Sequence, residues 1–182
     1  LGMGQEHWLF ENLSRSSSRW NLLAQQVQIA EVGREIESKV HYNMDKWAGY
    51  VATRQRLFDT IQSHEVSNFV VLTGDSHKNW VNHLMSDFNN PNSPILGTEL
   101  MGTSITSGGD GEEINDLGKH LMSINPHIRF YNGRRGYVSC KVSPDEMRAE
   151  FKVLPFVSRP GAPIQTRATF VMKNGVPGAI EV

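Results

Sequence analysis

The chain has 182 residues, 38% hydrophobic and 20% charged, with eighteen Lys/Arg against nineteen Asp/Glu. A domain of this length buries roughly 70% of the surface of its unfolded chain, so a core needs no staple, and global disorder, collagen-like repeats and low complexity are excluded. The near-neutral balance argues against a dedicated nucleic-acid binder, and the single cysteine, Cys140, excludes an intrachain disulfide.

The charge is uneven along the chain. Residues 128–182 carry nine basic and four acidic side chains, while residues 1–127 carry nine and fifteen. A basic last third suits an anionic ligand, although a solvated strand face with scattered Arg explains it as well. No apolar run approaches the ~18–20 residues of a membrane span. The chain opens at Leu1 in the middle of a structured pattern, which reads as a piece of a longer protein.

In chain order, residues 4–13 predict a short helix with Gln5, Trp8, Leu9 and Leu13 on one stripe, ended by the Ser/Arg run 14–19. Residues 20–27 read as extended, and 28–44 as a loop with at most one helical turn. A helix is expected over 46–63, where Trp47, Tyr50, Val51, Arg54, Leu57, Phe58 and Ile61 recur at three and four residues. Asp45 stands at its N-cap position. The run Asn68–Thr73 is β-branched, apolar and unbroken, the pattern of a central strand buried on both faces. It stops at the turn signal Gly74-Asp75. Trp80, Leu84 and Phe88 predict a helix over 78–88, followed by a loop at 89–94, an extended segment at 95–105, a flexible Gly-rich stretch at 107–111 and a helix near 112–123. From Gly136 the pattern turns β. Strands at 136–142 and 147–154 flank a turn at 143–146, and a second hairpin turns at Lys173-Asn174-Gly175. Cys140 reads as a small buried hydrophobe.

Three groups offer chemistry. Asp75 and His77 lie just past the end of the buried strand, where ligands bind in open α/β sheets. A carboxylate and an imidazole two residues apart on a turn can share one metal or one substrate oxygen. Spacing alone favours a helix cap at Asp75 and an ordinary surface histidine at His77. The second group is Asp45, Trp47 and Tyr50, which fit a pocket wall or a cap with core aromatics. The third is Asn125-Pro126-His127 with Arg134-Arg135, a loop able to hold an anion because Arg offers a fork of donors.

Taken together and in order, these segments resemble the PhoD-like alkaline phosphatase/phosphodiesterase family, a branch of the calcineurin-like metallophosphoesterases. Leu1-Gly2 with Gln5, Trp8 and Leu9 is similar to its LGxxQxxWL segment, and Trp20 through Val27 to its W…NQV strand. Asp45 through Tyr50, with Arg54, resembles its D-x-W-x-G-Y helix start. Asn68 through Trp80 resembles its most specific stretch, N-x-V-V-L-T-G-D-x-H-x-x-W. Asn125-Pro126-His127 and Arg135-Gly136-Tyr137 resemble its NPH and RGY segments, and the hairpin at Asn174-Gly175 also has a counterpart there.

The resemblance implies part of an α-β-β-α sandwich, with a mixed sheet and a hairpin-rich C-terminal end. It implies metal-dependent hydrolysis of phosphate mono- or diesters, with iron and calcium as the metals and a periplasmic or extracellular location. Asp75 and His77 are carried over as metal-site residues, and Asn125, His127, Arg135 and Tyr50 as catalytic-pocket residues. The family's first metal-binding turns precede the LGxxQ segment and are not in this sequence, so residues 1–182 are expected to be the C-terminal portion of the catalytic domain. Such a piece alone is expected to be inactive and to self-associate through an open sheet edge. The alternative from another class is a non-catalytic α/β module that binds an anion or a partner.

Overall fold

A computed structural model describes residues 1–182. Its order is α1 (Met3–Ser14), β1 (Asn21–Ala24), β2 (Arg34–Ile36), β3 (Lys39–His41), a 3-10 turn (Trp47–Gly49), α2 (Val51–Ser63), β4 (Phe69–Thr73), β5 (Asn79–Met85), β6 (Ile95–Met101), α3 (Asp116–Ile124), β7 (Ile128–Asn132), β8 (Arg135–Val142), β9 (Glu146–Leu154), β10 (Gln165–Lys173) and β11 (Ile180–Glu181).

The strands form a mixed sheet in the order β1-β4-β6-β5-β7, an antiparallel sheet in the order β11-β10-β9-β8, and the β2–β3 hairpin. Strands β1, β4 and β6 run parallel, and β5 is antiparallel to both β6 and β7. The apolar run of β4 explains its interior place. Val70 packs against the second sheet with Val81, Leu100 and Phe130, opposite Met147, Phe151 and Phe170. Phe69 and Val71 point the other way, into Leu57, Phe58 and Ile61 of α2 and Leu9 of α1. Helix α3 covers the same face further along, through Leu121 against Trp80, Met101 and Tyr131. The order of layers is therefore helices, mixed sheet, antiparallel sheet. In β9 every second residue, Met147 through Val153, is buried, as its alternation requires.

Several expectations are corrected. Residues 79–85 form strand β5, not a helix. A spacing of four is even, so Trp80 and Leu84 share one face of a strand as readily as one face of a helix. The stretch 28–44 contains the β2–β3 hairpin, whose two turn residues, Glu37 (φ 51°) and Ser38 (φ 61°), take the left-handed conformation without a glycine signal. The helix at 46–63 is broken at Tyr50, and Asp45 makes no cap bond: Lys46 and then Tyr50 stand at the two N-caps. Strand β7 was not foreseen. Cys140 is exposed, because β8 is an outer strand of its sheet.

One buried carboxylate ties the loop at 28–30 to the mixed sheet. Glu99 is fully buried in β6, and its oxygens accept from Ile29 N (2.6 Å), Ala30 N (3.2 Å) and Asn82 Nδ2 (2.9 Å). Burial pushes its pKa up, opposed by those donors and by the charge of Lys46. Replacing Glu99 with Ala leaves two backbone amides and an Asn amide without an acceptor. The expected cost is about 3 kcal/mol or more. Glu99→Gln, which keeps one oxygen, is expected to cost less. Chemical denaturation of the two variants checks the order, and an Ala variant as stable as the parent would contradict it.

Candidate functional site

Beyond β4 the chain turns through Gly74-Asp75-Ser76-His77 before β5 begins. Ser76 anchors the turn inward. Its hydroxyl reaches Met101 Sδ at 2.8 Å and accepts from Trp80 Nε1 at 3.2 Å. With Ser76 turned in, Asp75 and His77 on either side are exposed. Both take left-handed backbone, Asp75 at φ 75° and His77 at φ 53°. For residues other than glycine this costs on the order of 1–3 kcal/mol each, and such strain concentrates at functional sites.

Two cations flank the turn. Lys46 Nζ lies 3.7 Å from Asp75 Oδ2. The guanidinium of Arg135 is buried and organises the loop beside His77: Nη1 donates to Ser104 Oγ (2.8 Å) and Ser107 O (2.5 Å), and Nη2 donates to Gly133 O. Its Nε is buried without a partner. Gly108 fits between these groups, since a Cβ there would stand 3.0 Å from Arg135 Nη1 and 3.9 Å from His77 Nδ1. Asp110 fastens the far end of the same loop by accepting from Val157 N, Ser158 N and Ser158 Oγ, which hold its carboxyl below the usual range. The turn, Lys46 and Arg135 thus share the carboxyl ends of β4 and β6. Arg134 points elsewhere and donates to Pro155 O.

Tyr50 is exposed on the rim of a cavity of about 770 Å³, bounded also by Lys46, Trp47, Gln25, Trp8 and Leu23. The helix stripe Gln5, Trp8, Leu9 and Leu13 faces this same cavity. A smaller one of about 320 Å³ lies beside Ser76 and Lys46.

The structure does not bring Asn125 and His127 to this place. Every polar atom of the Asn125 amide is engaged: Oδ1 accepts from Gly33 N, and Nδ2 donates to Gly33 O and Leu121 O. His127 is buried with its ring 4.7 Å from that of Phe88, over which the Arg54 guanidinium also sits. Arg54 in turn pairs with Glu31 in a mostly buried ion pair. The His127 carbonyl accepts from His83 N, four residues along β5 from Asn79 and so about 13 Å from the turn. Both residues therefore hold the segment 31–33 in place. What the sequence did not reveal is Lys46, Ser76 and Glu99. An acidic residue inside the apolar run of β6 was the available signal for the last.

Asp75 and His77 offer one carboxylate and one imidazole, and no group of three or more His, Cys, Asp or Glu side chains is arranged to hold a metal ion. The pair fits part of a metal's ligand set, because both are unobstructed at a strand end and neither is taken up by a structural hydrogen bond.

Comparison with known proteins gives concordant results. A family model described as PhoD-like phosphatase matches residues 1–151. Alkaline phosphatase D of Bacillus subtilis (strain 168) is 45% identical over 182 residues, which is 100% of this chain and 31% of that protein. A solved structure described as "Structure of PhoD" superposes with a TM-score of 0.95 at 45% identity, over 100% of this chain and 35% of that one. The chain thus spans about a third of the length of the relatives it matches.

His127 gives a testable pH dependence. Burial lowers its pKa to about 4, so the folded state keeps the ring neutral where the unfolded chain, near 6.5, takes up a proton. The unfolded state then binds more protons between these values, and stability falls as pH drops from about 6.5 towards 4. The loss expected from this one group is about 3 kcal/mol. His127→Phe should flatten that part of the stability profile, measured by denaturation at stepped pH. A slope equal to the parent's would contradict the assignment.

Proposed function

The chain belongs to the PhoD-like phosphatases, and on that premise we propose that it is the C-terminal portion of the catalytic domain of a metal-dependent phosphoric ester hydrolase acting on phosphate mono- or diesters. The observation that carries this reading is that Asp75 and His77 are both exposed just past the end of β4 on a strained turn, with Lys46 beside the first and Arg135 near the second.

In this proposal Asp75 and His77 hold metal, with the remaining ligands supplied by polypeptide outside these residues. The metals are iron and calcium, by resemblance to the family. Bound there, they supply Lewis acidity to a phosphate ester. Lys46 orients the Asp75 carboxylate and keeps positive potential at the turn. Arg135 fixes the 104–108 loop beside His77, and its buried charge favours an anion at the same place. Tyr50 offers its hydroxyl from the rim of the larger cavity. Asn125 and His127 act at a distance, by holding the 31–33 segment. The outer edge of β1 is free of a partner strand, and further strands or a second copy would pair there. No helix is long and apolar enough to cross a membrane, and a periplasmic or extracellular location is proposed from the family alone.

The test uses the complete polypeptide that contains this chain. In His77→Ala, bound metal, measured by elemental analysis, and the rate of bis(p-nitrophenyl) phosphate hydrolysis are expected to fall together, the rate by about 100-fold. Full metal content with an unchanged rate would exclude His77 from the site.

A further inference from the structure

The cavity of about 320 Å³ beside the turn has a lining that the reaction itself does not explain. Arg34, His41 and Lys46 all face it, and no Asp or Glu does. This is a local excess of basic groups in a chain whose formal charge is −1. Arg34 and His41 are direct cross-strand partners in the β2–β3 hairpin. Both are exposed, and the side chain of neither makes a hydrogen bond or ion pair within the protein, whereas those of Arg54 and Arg56 are both paired with carboxylates. The lining also includes the apolar side chains of Ala30, Trp80, Leu117 and Leu121. One residue joins the cavity to the candidate site: Lys46 lines it and pairs with Asp75, while Ser76 lines it from the inward side of the same turn.

We propose that this cavity is a subsite for the alcohol arm of the ester, and that it selects an arm carrying a second anionic group, a carboxylate or a phosphate. The arm's carbon chain lies along Trp80 and Leu121, and its anion is received by Arg34 and His41. The Arg34 guanidinium supplies a fork of donors suited to either oxyanion. The proposal rests on the hydrolase reading above and adds substrate selectivity to it.

The test uses the complete, metal-loaded polypeptide and three p-nitrophenyl phosphodiesters whose second alcohol is a four-carbon arm. One arm ends in a methyl group, one in a carboxylate and one in a phosphate. The parent is expected to favour the charged arms over the uncharged one in kcat/KM, mainly through a lower KM. Loss of one charge-assisted hydrogen bond is worth roughly tenfold. The ratio of charged-arm to uncharged-arm kcat/KM is therefore expected to fall about tenfold in Arg34→Ala. Arg34→Lys, which keeps the charge but loses the fork, is expected to restore part of that ratio. A preference for only one charged end would identify which oxyanion the subsite takes. Turnover of all three esters with no charge preference, or a preference unchanged in Arg34→Ala, would overturn the subsite and leave the hydrolase reading standing. No turnover of any ester would overturn both.

Discussion

The carboxylate of Glu99 is the constraint on which the rest of the site depends. It sits fully buried in the middle strand of the mixed sheet, and a carboxylate in such a place is tolerable only when donors surround it. Ile29 N, Ala30 N and Asn82 Nδ2 provide them, and in doing so they fasten the loop at 28–30 across the helix face of the sheet. From there the connection is physical and short. Gln28 O accepts from Trp47 N, which sets the 3-10 turn, and the residue before Trp47 is Lys46, whose ammonium meets Asp75. A buried carboxyl group in β6 is thus linked to an exposed one after β4 through a single intervening loop.

The turn at 74–77 is held from below as well. Gly74 N donates to Gln26 O, and Ser76 is locked between Met101 and Trp80. These contacts over-determine a backbone that Asp75 and His77 would not adopt freely, and this is how left-handed non-glycine residues persist. The resulting arrangement suits metal binding. The two side chains are presented outward on a rigid support, while the hydrogen bonds that fix the turn use Ser76 and leave them free. On the other flank, Arg135 engages three acceptors in the 104–107 loop and at Gly133, so that its charge is stationary beside His77. Preorganised charge of this kind favours a developing anion without reorganisation when it forms.

Much of this was legible in the sequence, and the misses have physical reasons. The unbroken run of β4, the alternation of β9 and the Asn-Gly turn after β10 each report one periodicity without competition, and each element stands where it was expected. The spacing of Trp80, Leu84 and Phe88 is compatible with periods of 2 and of 3.6, and the strand prevails because β5 pairs on both sides, with β6 and β7. The turn at Glu37-Ser38 carries no Gly, Asn or Pro, so the hairpin that bears Arg34 and His41 was invisible. Asn125 and His127 stood out as a motif, but a motif does not say whether a polar side chain faces a ligand or its own backbone. Here the Asn125 amide meets Gly33 and Leu121. Glu99 could not be valued from sequence, since its partners come from residues 29, 30 and 82 and are assembled only by the fold.

Asp75 and His77 are proposed to hold metal together. The most direct measurement is an anomalous-difference map from crystals of the complete polypeptide grown with its metals. The account predicts a peak within bonding distance of both an Asp75 carboxylate oxygen and a His77 ring nitrogen. A fully occupied metal set in which no ion contacts either residue would contradict it.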